Sequence, residues 1–80
     1  MDNTIIVKLI PRINDLRKRN VIDSIDKSIL CRGTMAYKKN SDEDDYMNIV
    51  KLIENKHKND KEVLVMCETI RSLIEKEEQK

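Results

Sequence analysis

Glycine and proline occur once each in these 80 residues, as Gly33 and Pro11, and phenylalanine and tryptophan are missing altogether. So little turn punctuation means that each of the two marks a specific place. The aromatic residues reduce to Tyr37 and Tyr46, so their positions are informative. Two cysteines, Cys31 and Cys67, make no disulfide framework, and with the lone His57 they form no pair at CxxC or HxxxH spacing. A zinc site on those patterns is excluded. No apolar run is long enough to span a membrane. The opening MDNTIIVKLIPR carries an acidic second residue and an apolar stretch broken by Lys8, unlike a secretory signal. These absences together point to an intracellular, reducing compartment. An excess of either charge is also lacking: 16 basic and 15 acidic residues leave a net charge of +1. The strongly basic face of a lone nucleic-acid binder is therefore not expected, although Arg17-Lys18-Arg19 and Lys38-Lys39 are local clusters. The first of these reads as a solvated turn ahead of an RNA-facing patch. His57 in a lysine-rich stretch is no partner base for Cys67, and no glycine-rich phosphate loop occurs. The chain is expected not to be an enzyme and to carry no metal or cofactor.

What is present divides the chain into four apolar segments, residues 4–16, 21–37, 46–53 and 62–74. Between them KKNSDEDD (38–45) and ENKHKNDK (54–61) hold almost no apolar residue and read as loops, and 75–80 reads as a solvated, fraying tail. One domain over 1–80, with its core in 11–74, is the expected organisation.

Two readings of the apolar segments compete. By period, Ile6, Leu9, Ile10 and Ile13 fall at helical spacing, as do Tyr46, Ile49, Val50 and Ile53, and Val63, Met66, Cys67, Ile70 and Ile74. The word IVKLI occurs at Ile6 and again at Ile49, an offset of 43 that lies in the range of two-helix HEAT or armadillo repeats. Five common residues weigh as coincidence, but a pair of HEAT-like hairpins is the best periodic reading. Tyr46 then opens a helix with Ser41 as N-cap and Asp42, Glu43 and Asp44 on its first turn. By composition, residues 62–66 and 69–73 look like short β-strands. Short apolar runs are the case in which period does not separate helix from buried strand.

Three stretches favour strands because they resemble a known family. VIDSIDKSILCRGTM (21–35), with Val21, Ile25 and Arg32-Gly33, resembles the first two strands of Sm and LSm proteins. Gly33 takes the place of the glycine at which the second strand bends, where a residue without Cβ is needed. Asp44-Asp45-Tyr46-Met47-Asn48 resembles the family's D-x-aromatic-M-N loop. EVLVMCETI (62–70) resembles its second motif, with Cys67 where the F type of the family also departs from glycine, and PRINDLRKRNV (11–21) resembles the F-type helix and lead-in. Against the family pattern, five extra residues precede Asp44, and Met66 replaces a basic residue.

The resemblance implies an all-β fold: a strongly bent, five-stranded antiparallel sheet forming an open barrel behind a short N-terminal helix. Edge strands 62–66 and 69–73 would pair with neighbouring Sm or LSm subunits in a heteroheptameric ring. It further implies a nuclear protein, assembled in the cytoplasm, that grips uridine-rich small nuclear RNA in pre-mRNA splicing. In that reading Tyr46 stacks on a base, worth about 1–3 kcal/mol, Asn48 reads a uracil edge, Asp44 orients Asn48, and Met66 and Cys67 line the channel. No membrane and no small-molecule substrate are implied. The alternatives are an LSm ring of RNA decay, or a helical HEAT-like protein–protein interaction module without RNA.

Overall fold

Ile5, Leu9, Ile13 and Leu16 repeat at helical intervals and are all buried, which is what an amphipathic helix needs in order to seat one face in a core. The computed structural model describes residues 4–78, and the element that these four build is α1 (Thr4–Lys18); α2 (Ser24–Asn40), α3 (Glu43–Lys56) and α4 (Lys61–Glu78) follow. No strand occurs among the described residues. Each helix packs on the next, α4 closes against α1, and the diagonal pairs do not meet. The result is a four-helix bundle measuring 34 × 19 × 17 Å, its helices joined by short connections as in up-and-down bundles.

The helix ends explain how a chain with one glycine turns three times. Asn20 stands in the left-handed region at φ 63°, and Val21 N donates to Leu16 O at 2.9 Å while Asn20 N donates to Arg17 O at 3.1 Å. That is a Schellman stop with asparagine in the glycine role. Asp23 then caps α2, accepting from Asp26 N at 2.8 Å, and Asp26 accepts from Asp23 N in return. Ser41, at φ 55°, ends α2 by donating its N–H to Tyr37 O at 2.7 Å. The next residue, Asp42, already caps α3 by accepting from Asp45 N at 3.1 Å. The stretch 38–45, expected as a loop, is therefore a helix stop joined to a helix start, with a connection of only two residues. It is polar because caps are polar, and Glu43, Asp44 and Asp45 suit the positive end of the α3 dipole. The N-cap is Asp42, one residue beyond the expected Ser41. Asp60 serves α4 similarly, accepting from Glu62 N at 3.2 Å. Pro11 lies inside α1 on its exposed side, where the carbonyl left without a partner can be hydrated.

The all-β expectation is overturned. Residues 62–66 and 69–73, expected as edge strands, are consecutive turns of α4. Val63, Met66, Cys67, Ile70 and Ile74 are buried while Val65 is exposed, a pattern of period 3.6 that an alternating strand cannot give. Gly33 bends no strand; it sits in the middle of α2, buried against α3. Without the sheet there is no Sm ring edge, and the spliceosomal and ribonucleoprotein identity inferred from the resemblance falls with it. The two IVKLI words also fail as repeats. Val7 is exposed where Val50 is buried, and Leu9 is buried where Leu52 is exposed, so the same five letters turn different faces to the core.

Candidate interaction surface

The residues singled out for RNA contact divide into core and surface. Tyr46 is 1% exposed; its ring lies against Tyr37 with centroids 5.2 Å apart, and its hydroxyl is 2.7 Å from Thr34 Oγ1. Thr34 spends its single proton on Leu30 O at 2.8 Å, so Tyr46 is the donor of the pair. Burial pushes the Tyr46 phenol up to about 12. A ring so enclosed has no face for a base. Met66 and Cys67 are fully buried in α4 and line no channel; burial pushes the Cys67 thiol up to about 11, far from a reactive thiolate. Asp44 and Asn48 are exposed on α3, one turn apart and separated from the buried Tyr46 ring. The fold does not bring Asp44, Tyr46, Asn48, Met66 and Cys67 together at one surface, and the roles that rested on the Sm architecture have no geometric basis.

Gly33 does have a structural reason, different from the expected one. A Cβ there would stand 2.9 Å from Ile49 Cδ1 and 3.3 Å from Tyr46 Cδ1, so the missing side chain lets α2 and α3 approach.

The buried charged residue among those described is Asp26, at the start of α2. Lys56 Nζ donates to Asp26 Oδ1 at 2.9 Å and His57 Nε2 donates to Oδ2 at 2.8 Å. Burial pushes the Asp26 carboxyl up, but the Lys56 and His57 bonds outweigh it and hold the group below its ordinary 3.8. The trio clamps the first turn of α2 to the last residues of α3. Ser24, the hydroxyl in the same cleft, accepts from Arg17 Nε at 3.2 Å. Among the described residues no group of three metal-ligating side chains occurs, and no helix is long and apolar enough to cross a membrane.

What stands out on the exterior is α2 and its two flanks. On the α3 side, Ile25, Ile29, Arg32 and Ala36 share one stripe of α2 and Asp45, Ile49, Leu52 and Lys56 share one stripe of α3. The contacts of Gly33 with Ile49 and of Lys56 with Asp26 set these stripes side by side. Ile25 is 67% and Leu52 58% exposed, and Ile29 and Ile49 are half-buried, which makes a paired apolar stripe on the outside of a bundle whose core is already filled. On the α1 side a groove of about 690 Å³ is lined by Asn14, Arg17, Lys18, Ser24, Lys27, Ser28 and Cys31. It contains three cations and no carboxylate.

This surface was missed in the sequence because the net charge hides a division. Residues 1–40 carry nine basic and four acidic side chains, and residues 41–80 carry seven and eleven. Counting by halves would have shown it. Compared with known protein families, curated proteins and solved structures, the chain matches none.

Proposed function

We propose that the chain is a helical protein–protein interaction module that works without RNA. The observation that carries this reading is the exposed apolar stripe formed by Ile25 and Ile29 of α2 with Ile49 and Leu52 of α3. Water-facing isoleucine and leucine on adjacent helices are unfavourable in isolation and favourable once a partner covers them. An apolar stripe on adjacent helices is also the kind of surface that receives an apolar helix face. The burial of both tyrosines speaks against a single-strand RNA reader, which would hold aromatic rings open to the bases.

Replacement of Ile25 or Leu52 by Asp tests the reading. Both side chains point outward, so each variant keeps the helical circular dichroism and the thermal midpoint of the wild type. Proteins captured from native extract by the wild-type chain are lost from both variants. Retention of the same proteins by both, or nuclease-sensitive recovery of RNA with the wild type, would sink the proposal.

A further inference from the structure

Three cations of this bundle are paired where helices meet, and three others line one groove. Arg19 is paired with Asp15 and Glu62, Lys56 with Asp23 and Asp26, and Arg71 with Glu54; these lie where helices meet, and each has its counter-charge. Arg17, Lys18 and Lys27 line the groove between α1 and α2, and among the described residues no carboxylate pairs with any of them. The acids on these helices and at the α2 cap are all taken elsewhere; Asp23 at the cap accepts from Lys56 Nζ at 3.2 Å. Asp15 holds Arg19, and Asp26 is buried under Lys56 and His57.

Arg17 is also set in place before any ligand arrives. Its Nε donates to Ser24 Oγ at 3.2 Å and its Nη1 to Asn20 Oδ1 at 3.1 Å, which fixes the plane of the guanidinium and leaves its remaining N–H groups for an acceptor. A fork held in this way loses less side-chain freedom on binding than a free one. Asn14 and Ser28 add neutral donors to the same groove, and the half-buried Cys31 with the stems of the two lysines adds apolar surface.

We propose that the α1–α2 groove binds an acidic segment of a partner protein, its carboxylates received by Arg17, Lys18 and Lys27. The proposal rests on the interaction reading above and names the chemistry of the partner. Charge complementarity selects the occupant: a groove with three unpaired cations and no acid attracts an anion. Its mixed lining suits a peptide, whose carboxylates alternate with apolar side chains. A nucleic acid would leave the apolar part unused and would find no exposed ring on which to stack. The acidic α3–α4 half keeps a segment of that sign from binding on the opposite side.

The experiment is a fluorescence-anisotropy titration of the full chain with a labelled peptide of alternating Glu, Ser and Leu. A peptide with Gln for Glu and a uridine oligonucleotide serve as the comparison probes. The Glu peptide binds and weakens as salt is raised, and the Gln peptide does not bind. Each of R17Q and K27Q weakens binding about two- to fivefold, as expected for an exposed ion pair, and the pair together about tenfold. K51Q, on the α3–α4 half, leaves affinity unchanged. Equal binding of the Gln peptide overturns the proposal, as does equal weakening by K51Q or tighter binding of the oligonucleotide. Self-association in sedimentation that the Glu peptide fails to disperse overturns it as well, since a second copy then fills the groove. If the peptide fails while Leu52→Asp still strips captured proteins, the interaction reading survives and only the groove is lost. The reverse pattern keeps the groove and removes the apolar stripe.

Discussion

Tyr46 donates its buried hydroxyl to Thr34 Oγ1 across the α2–α3 interface at 2.7 Å, because the threonine has already committed its own proton to Leu30 O. The direction of this bond makes its two ends unequal. Tyr46→Phe leaves Thr34 still donating and merely short of one donor, at a cost of about 1 kcal/mol. Thr34→Val strands the phenolic O–H in the core with no acceptor, at a cost of about 2 kcal/mol. Urea unfolding of the two variants checks the order; equal losses would mean that the bond runs the other way.

The same tyrosine sets an alkaline limit. Its acid form is favoured in the folded state, with the phenol pushed up to about 12 from an ordinary 10. The associated stability is fully present below pH 10 and is lost as pH rises from there toward 12. Absorbance at the phenolate band, followed on a pH ramp, is expected to show Tyr46 ionising only as helicity is lost. Ionisation of Tyr46 near the ordinary value, with circular dichroism intact, would contradict its burial.

At Gly33 two effects of opposite sign compete. Alanine in a helix interior is favoured over glycine by about 1 kcal/mol, but its Cβ would press on Ile49 Cδ1 at 2.9 Å and on the Tyr46 ring at 3.3 Å. Since the Tyr46 ring is enclosed and cannot retreat, Gly33→Ala is expected to destabilise by about 1 kcal/mol despite the propensity gain. Ile49→Val removes the Cδ1 carbon. In that background the same Gly33→Ala is expected to cost less, with the Tyr46 contact remaining, and the double-mutant cycle reports the Ile49 contact.

Acid acts through Asp26. Its carboxyl lies below its ordinary 3.8 despite burial, because Lys56 and His57 hold the ionised form. Asp23, Glu54 and Glu62 are lowered too, by the Asp26 N–H, Arg71 and Arg19 respectively. For a lowered carboxyl the stabilisation is present above the unfolded value and lost as pH falls through the folded one. The thermal midpoint is therefore expected to drop below about pH 4.5, where unfolded carboxylates begin to protonate. Asp26→Asn lowers the midpoint at neutral pH and flattens that acid slope. An unchanged slope in the variant would remove Asp26 as its source.

The helical reading was present in the sequence and was outweighed. Of the periodic sets, Leu9 and Ile13, Tyr46, Val50 and Ile53, and Val63, Met66, Cys67, Ile70 and Ile74 lie on the buried faces of α1, α3 and α4, while Ile6, Ile10 and Ile49 are half-buried. Short similarities to the Sm family drew the balance toward strands. Asp44 through Asn48 matched for a reason unrelated to RNA, since a capped helix start is itself rich in Asp and an amphipathic first turn places an aromatic where Tyr46 stands. The length of α2 was harder to read. Gly33 looked like a bend and KKN like a loop, whereas the glycine answers to the Tyr46 ring and KKN is simply the last, solvated turn. Nothing local announces either, because both depend on what α3 brings across the interface. The α1–α2 groove was legible only as a charge division that the total of +1 cancels. The apolar stripe required the helical phase of α2 and α3 together.

Three of the four helix interfaces join neighbours in sequence, and only the contact of α1 with α4 brings distant segments together. Arg19 and Glu62, 43 residues apart, stand on that closure together with Arg12 and Thr69. Local pairings form quickly because little chain must be ordered at once, whereas this last closure bears most of the loop entropy. Folding is thus expected to run through hairpins that assemble early and a ring that shuts late. The line between α1 and α4 is where amide hydrogens on the core faces of those two helices should first admit solvent, while the two-residue joint at Ser41 and Asp42 keeps α2 and α3 together.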